Sequence, residues 1–181
     1  MTRTSDTHPL RIDSLQVPGY AGRIGLTFCP GKKQSHAMTG EWERDLQADL
    51  HELQAWGANT LVTLMEMHEL RDLEVEDLGS KAVRVGLDWL HLPILDMSIP
   101  DETFEAKWQA EGPGLHDLLE SGGRLVLHCK GGLGRTGTIA ARMLVESGMA
   151  PGDAIAAVRN ARPGAIETRG QERYLLRLHR T

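Results

Sequence analysis

Three apolar residues, Leu125-Val126-Leu127, run into His128-Cys129-Lys130-Gly131-Gly132-Leu133-Gly134-Arg135-Thr136-Gly137, and then into Thr138-Ile139-Ala140-Ala141-Arg142-Met143-Leu144. The first run reads as a buried strand and the last as a helix. A Gly-rich loop between a strand and a helix N-terminus makes a cradle of backbone N–H groups, and the helix dipole favours negative charge there. Here the cradle opens on a cysteine and closes on an arginine. No other feature of the chain restricts its fold so closely.

Each residue type in the loop answers a physical need. A phosphoryl group presents close to two negative charges and three outer oxygens, so several N–H groups must converge on it. Gly131, Gly132 and Gly134 let the chain curl, because glycine adopts positive φ at little cost. With Lys130 and Leu133 they form the expected phosphate-binding loop. Arg135 can grip two oxygens with its planar fork, which a lysine cannot do. Amides and a helix dipole around Cys129 favour the thiolate, the nucleophilic form. Thr136 offers a hydroxyl near the sulfur, and His128 is expected to face away from substrate and orient the loop. The pattern points to thiol-based cleavage of phosphate esters.

Gly132-x-Gly134-x-x-Gly137 also spells the dinucleotide fingerprint. That fingerprint belongs in a βαβ unit with an acidic residue at the end of the next strand. The chain beyond Gly137 instead reads as helix upon helix: Ser147-Gly148 stops one and Pro151 starts another. Asp153 falls in a helix start, and the context argues against a dinucleotide.

An alkoxide or phenoxide is a poor leaving group, so a carboxylic acid must protonate it from outside the cradle. Asp96 comes after the apolar strand Trp89–Ile94, at its C-terminal end, the edge where sites form in open parallel sheets. Asp101 is the rival. It comes directly after Pro100 and precedes a helical pattern, so a helix N-cap accounts for it, which favours Asp96 as the acid.

Cys-x5-Arg-Thr preceded by His resembles the signature of the protein tyrosine and dual-specificity phosphatase superfamily. Pro93–Asp101 resembles its general-acid loop, Ala161–Thr168 with Gln171 and Tyr174-Leu175 the segment behind the site, and Ile24-Gly25-Leu26 with Pro30-Gly31-Lys32 its first strand and loop. The set, spread over about residues 24 to 178, is most similar to the kinase-associated (cyclin-dependent-kinase inhibitor) phosphatase branch. The resemblance implies a phosphocysteine intermediate, Asp96 as the acid, Gln171 as the residue that positions the hydrolytic water, and no cofactor or metal. It implies phosphotyrosine in proteins as substrate, with phosphoserine and phosphothreonine beside it. Two alternatives stay open: a phosphoinositide or other small phosphate ester as substrate, and a non-catalytic phospho-binding module. Lys130 speaks for a phosphoinositide. Leu133, where a second loop lysine would stand, speaks against it. The presence of Cys129, Arg135 and Asp96 together speaks against a pseudo-enzyme.

The chain has 181 residues, 40% hydrophobic and 25% charged, with a net charge of −5. That fits one domain with an ordinary core and no overall attraction for nucleic acid; phosphate attraction must be local, through Arg135, Lys130, Lys32 and Lys33. Two cysteines make no disulfide framework, which suggests a reducing, cytoplasmic compartment. Cys29 reads as a buried inert thiol, with a reversible Cys29–Cys129 disulfide as the alternative. No apolar run is long enough to cross a bilayer. Residues 1–20 read as a loose arm and 21–181 as a single phosphatase domain. Oligomeric state is not legible.

Strands are expected at Ile24–Phe28, Asn59–Met65, Asp88–Ile94 and before Cys129. An amphipathic helix is expected over Gly40–Trp56, a helical region over Glu66–Gly86 broken near Gly79, two short helices interrupted at Gly112-Pro113-Gly114, and three helices after the cradle. This alternation predicts an α/β fold with a central, mostly parallel sheet of about four or five strands flanked by helices. The four tryptophans read as core or half-core residues.

Overall fold

The computed structural model describes residues 2–178. In chain order the elements are β1 (Asp13–Gln16), β2 (Arg23–Thr27), β3 (Lys33–Gln34), β4 (Trp42–Glu43), α1 (Leu46–Trp56), β5 (Thr60–Thr63) and α2 (Met67–Asp72). They continue with α3 (Leu78–Arg84), β6 (Asp88–His91), α4 (Glu102–Glu120), β7 (Arg124–His128), α5 (Gly134–Glu146), α6 (Pro151–Ala161) and α7 (Arg169–Leu176). Five strands form one sheet in the order β1-β2-β7-β5-β6. β2, β7, β5 and β6 run parallel, and β1 closes the edge antiparallel to β2. The α/β architecture is the one the alternating pattern predicts.

The register brings four strand ends into line. Thr27 pairs with His128, His128 with Thr63, and Thr63 with His91. The chain therefore leaves β2, β7, β5 and β6 at one edge, and the next few residues of each strand meet there. Leu125, Val126 and Leu127 are fully buried, as are Leu61 and Val62 on β5. Strands buried on both faces read as unbroken apolar runs, which is why β7 is legible. Against this sheet lies α5, buried from Gly134 to Val145. It is the central helix of the molecule, and its first turn carries Arg135.

Several local expectations are revised. α1 begins at Leu46, not Gly40, because Asp45 caps it by accepting from the Ala48 amide. Trp42 and Glu43 instead pair with Lys33 and Gln34 as a two-stranded ribbon. The chain between α2 and α3 breaks over Leu73–Asp77, with Glu74 at φ +58°. Gly79 lies inside α3, where a Cβ would come within 2.5 Å of the Trp89 ring; its role is close packing. Gly112-Pro113-Gly114 does not interrupt α4. Proline removes one helical hydrogen bond, but Phe104, Trp108, Leu115 and Leu119 bury the same face on both sides of it, and packing overrides the local break.

Of the loose arm expected over residues 1–20, Asp13–Gln16 instead form β1, and Leu10, Leu15 and Val17 are buried. The signal is weak because an edge strand of four residues has little periodicity. What anchors the arm is a buried ion pair. Arg44 Nε and Nη2 donate to the Asp49 carboxylate at 2.7 and 2.8 Å, and both side chains are fully buried. Arg44 Nη1 donates to the His8 carbonyl at 2.7 Å, and Asp49 accepts from the Gly31 amide at 2.8 Å and the Ser5 hydroxyl at 2.8 Å. Among the described residues no helix is long and apolar enough to cross a membrane.

Removing one partner of such a pair leaves a bare buried charge, which costs about 3–5 kcal/mol. We expect Asp49→Ala to lower the unfolding free energy by that amount, seen as a lower urea midpoint at an unchanged m-value. A double variant, Arg44→Met with Asp49→Leu, should recover much of the loss.

Candidate active site

The loop after β7 turns its carbonyls outward. The Lys130 carbonyl accepts from the Cys29 amide at 3.3 Å and from Lys32 Nζ at 3.4 Å. Arg162 Nη2 donates to the Gly131 carbonyl at 3.2 Å and its Nε to the Gly132 carbonyl at 2.6 Å. The Leu133 carbonyl accepts from the Gly137 and Ile166 amides at 2.9 and 3.2 Å. With every carbonyl from 130 to 133 held on the outside, the amides of those residues are left for the inside. They donate to no acceptor among the described residues. Backbone N–H groups gathered at a helix N-terminus suit an anion.

One glycine is indispensable to the turn. Gly132 has φ +70°, and a Cβ there would stand 2.3 Å from the Thr27 carbonyl oxygen. Gly131 and Gly134 have negative φ. Gly131 has open space around it, whereas a Cβ on Gly134 would meet Glu167 and Gln171 side chains. The expectation that all three glycines curl the loop therefore narrows to Gly132.

Cys129 is 3% exposed at the mouth of β7. Arg135, in the first turn of α5, is buried and turned toward the same edge. Its Nη1 donates to Glu69 Oε2 at 2.7 Å and to the Ile94 carbonyl at 3.0 Å, and its Nη2 donates to Glu69 Oε1 at 2.8 Å. Asp96 Oδ1 lies 3.0 Å from Nη2, with its side chain 54% exposed. The guanidinium thus joins the loops after β5 and β6 to the cradle. Burial alone would lower the Arg135 pKa, but the Glu69 hydrogen bonds and the charges of Cys129, Glu69 and Asp96 raise it. Burial alone would raise that of Glu69; the Arg135 bonds, the Glu66 amide and the Arg135 and His68 charges bring it below the ordinary range.

Asp101 accepts from the Phe104 amide at 2.8 Å and caps α4. Asp96 accepts from the Met97 amide at 3.0 Å, with Met97 held at φ +59°. The two aspartates therefore part: one starts a helix, and the other meets the Arg135 guanidinium. Gln171 is fully buried and its amide is in use. Its Oε1 accepts from the Glu167 and Thr168 amides at 3.0 and 3.1 Å, and Nε2 donates to the Ser98 carbonyl at 3.3 Å. It ties the start of α7 to the loop that bears Asp96. The Thr136 hydroxyl is buried without a hydrogen-bond partner among the described residues.

His128 makes its short side-chain hydrogen bond sideways, to the neighbouring strand. Its Nε2 pairs with the Thr63 hydroxyl on β5 at 2.7 Å, and Trp89 Nε1 donates to the same hydroxyl at 2.8 Å. Burial pushes the imidazole down to about 3, so the ring is neutral and locks β7 to β5 beneath Cys129. Cys29 is wholly buried with its thiol on the Pro30 carbonyl at 3.6 Å, and burial drives its pKa far up. That favours the inert reading of Cys29. Lys130 is half-buried at the rim, and Lys33 pairs with Glu74 away from the loop at 3.6 Å.

Two residues of the site escape a reading of the sequence. Glu69 buttresses Arg135, and the only local trace is its spacing from Glu66, a helix-start pair whose reciprocal bonds are present in α2. Arg162 stands in the Ala161–Thr168 segment behind the site, but its reach to the cradle, and to Asp13 at 2.7 Å, is a tertiary fact.

A parallel sheet whose carboxyl edge holds an amide-lined loop, a cysteine at its start and an arginine at its end defines a cysteine-dependent phosphatase. Residues 37–149 match the family described as "Polymorphic toxin system, DSP-PTPase phosphatase". Cyclin-dependent kinase inhibitor 3 of Sus scrofa is 30% identical over 172 residues, covering 92% of this chain and 77% of that protein. Tyrosine-protein phosphatase cdc-14 of Caenorhabditis elegans is 34% identical over 89 residues, 49% of this chain and 12% of that one. Among solved structures, kinase associated phosphatase with its catalytic-site cysteine replaced by serine superposes with a TM-score of 0.80 at 28% identity, covering 92% of each chain. The chain belongs to the dual-specificity and protein-tyrosine phosphatase family.

His128 sets an acid limit on stability. Its folded-state pKa, about 3, lies below the unfolded value of roughly 6.5. The contribution is therefore fully present above about pH 6.5 and is lost as pH falls toward 3, at up to about 1.4 kcal/mol per pH unit. We expect urea midpoints measured between pH 7 and pH 4.5 to fall more steeply for the native chain than for His128→Gln.

Proposed function

We propose that Cys129 is the nucleophile of this phosphatase and that the reaction passes through a phosphocysteine. The observation that carries this reading is the Asp96 carboxylate, half exposed and 3.0 Å from the Arg135 that closes the loop opened by Cys129.

In the first step the Cys129 thiolate attacks phosphorus in line while the bond to the leaving oxygen breaks. Protonated Asp96 donates its proton to that oxygen. The amides of Lys130, Gly131, Gly132, Leu133 and Gly134 and the fork of Arg135 hold the three equatorial oxygens and balance their charge. In the second step water attacks phosphorus, Asp96 takes its proton, and the phosphorus–sulfur bond breaks to return the thiolate and inorganic phosphate. The free hydroxyl of Thr136 is suited to steady the departing sulfur. Gln171, whose Nε2 keeps a second hydrogen beyond its bond to Ser98, would orient the water while holding the acid loop in place.

Substrate phosphate must compete with Asp96 for Arg135 Nη2. Its arrival releases the carboxyl from the guanidinium and leaves it beside the leaving oxygen. We infer protein phosphotyrosine as the substrate, with phosphoserine and phosphothreonine accepted. The chain's relatives include a kinase associated phosphatase and tyrosine-protein phosphatases, and Leu133 puts no second lysine in the loop for a polyphosphorylated headgroup. Two free thiols fit work in the cytoplasm.

Four variants test the roles. Cys129→Ser should abolish turnover of p-nitrophenyl phosphate while a phosphotyrosine peptide still binds. Asp96→Asn should lower kcat on a phosphothreonine peptide by roughly 10²–10⁴-fold, and far less on p-nitrophenyl phosphate, whose leaving group needs little protonation. Arg135→Lys should cost about 10²–10³-fold in kcat/KM. If Asp101→Asn damages the phosphothreonine reaction more than Asp96→Asn does, the acid has been misassigned.

A further inference from the structure

Lys32 is the unusual cation of this molecule. It leaves β2 by the short loop Phe28-Cys29-Pro30-Gly31 and is only 5% exposed. No carboxylate lies within ion-pair distance of it among the described residues. Its ammonium donates to the Lys130 carbonyl at 3.4 Å, and it lies 4.2 Å from the centre of the Trp42 ring and 4.9 Å from that of Phe28. A buried ammonium without a partner is costly. Aromatic faces and one carbonyl offset part of that cost, but they carry no net charge.

The groups facing it can be named from every side. From its own loop there is Cys29, which burial keeps as a thiol. From the phosphate loop there are Cys129 and Lys130, and from beyond β4 there is Arg44, itself satisfied by Asp49. Of these, Cys129 alone can supply a negative charge.

We propose that Lys32 is a positioning residue for phosphate hydrolysis: from behind the loop its ammonium holds the Lys130 carbonyl outward and serves as counter-charge to the Cys129 thiolate. This rests on the reading of Cys129 as nucleophile. The geometry has two consequences. Holding that carbonyl outward, with the Cys29 amide, turns the next amide in the loop inward toward the phosphoryl oxygens. A fixed positive charge behind the sulfur also favours the ionised thiol before substrate arrives, when Arg135 is already neutralised by Glu69 and Asp96. The ribbon of β3 and β4 gains a purpose, because it delivers Trp42 as the lid over the ammonium.

Burial pushes the Lys32 pKa down to about 8. The cationic form is thus complete below about pH 7 and is lost as pH rises through 8. Activity that depends on it should fall on the alkaline side.

The test is a pH–rate profile of kcat/KM on p-nitrophenyl phosphate from pH 5.5 to 9.5 for the native chain, Lys32→Met and Lys32→Arg, with iodoacetamide alkylation of Cys129 at pH 6.5 as a second readout. We expect an alkaline limb near pH 8 in the native chain. In Lys32→Met we expect no such limb, about ten-fold lower kcat/KM at pH 6.5 and several-fold slower alkylation. In Lys32→Arg we expect rates recovered to within about three-fold and the limb displaced beyond pH 9. If Lys32→Met keeps its thermal midpoint and shows the native limb and alkylation rate, the proposal falls; so does a native profile flat through pH 9. The nucleophile is tested apart from this: turnover that survives in Cys129→Ser sinks the reading of Cys129, whereas a normal Lys32→Met with a dead Cys129→Ser sinks only the role of Lys32.

Discussion

A peptide that turns four successive amides toward one point must turn its carbonyls somewhere else. That constraint organises this molecule. Each outward carbonyl of the loop after β7 is met by a donor from a different part of the chain: the Cys29 amide and Lys32 ammonium after β2, Arg162 after α6, and the Ile166 amide before α7. Donors buried against carbonyls are strong in a low-dielectric setting. The cradle is therefore not a flexible loop awaiting a ligand. It is preorganised, and the cost of holding empty amides inward is offset by bonds on the far side.

Arg135 shows the same logic from within. A guanidinium that was merely buried would be expensive, and a guanidinium fully paired would be useless to a substrate. Glu69 takes one edge of the fork in a two-bond contact, while Asp96 rests on Nη2 from a half-exposed position. The inner partner is nearly buried and the outer one half exposed. On the proposed mechanism, the first stabilises the guanidinium and the second yields to substrate.

What can be read in the sequence is what depends on near neighbours along the chain. Cys129 and Arg135 lie six residues apart on one loop, and the buried strand and helix that flank them carry their own periodicity. Asp101 announces itself as a cap because a cap is a contact across three residues, and that leaves Asp96 as the proposed acid. Glu69 and Arg162 are different. Each looks like an ordinary charged surface residue, and only the register that aligns Thr27, His128, Thr63 and His91 brings their loops together. The uninterrupted α4 shows the same limit from the other side: Gly112-Pro113-Gly114 is a local stop signal, overruled by a buried face that the local sequence does not reveal.

The N-terminal segment illustrates how far the site extends. Asp13 on the edge strand holds Arg162, which holds the carbonyls of Gly131 and Gly132. Asp49 holds Arg44 and the Gly31 amide, and so fixes the loop that carries Lys32. Two chains of ionic contacts therefore run from the first fifty residues to the back of the cradle. Neither touches the space where substrate would sit. Buried polar networks are most favourable when every member is satisfied, so the seat of the edge strand and the shape of the cradle support each other through shared donors and acceptors.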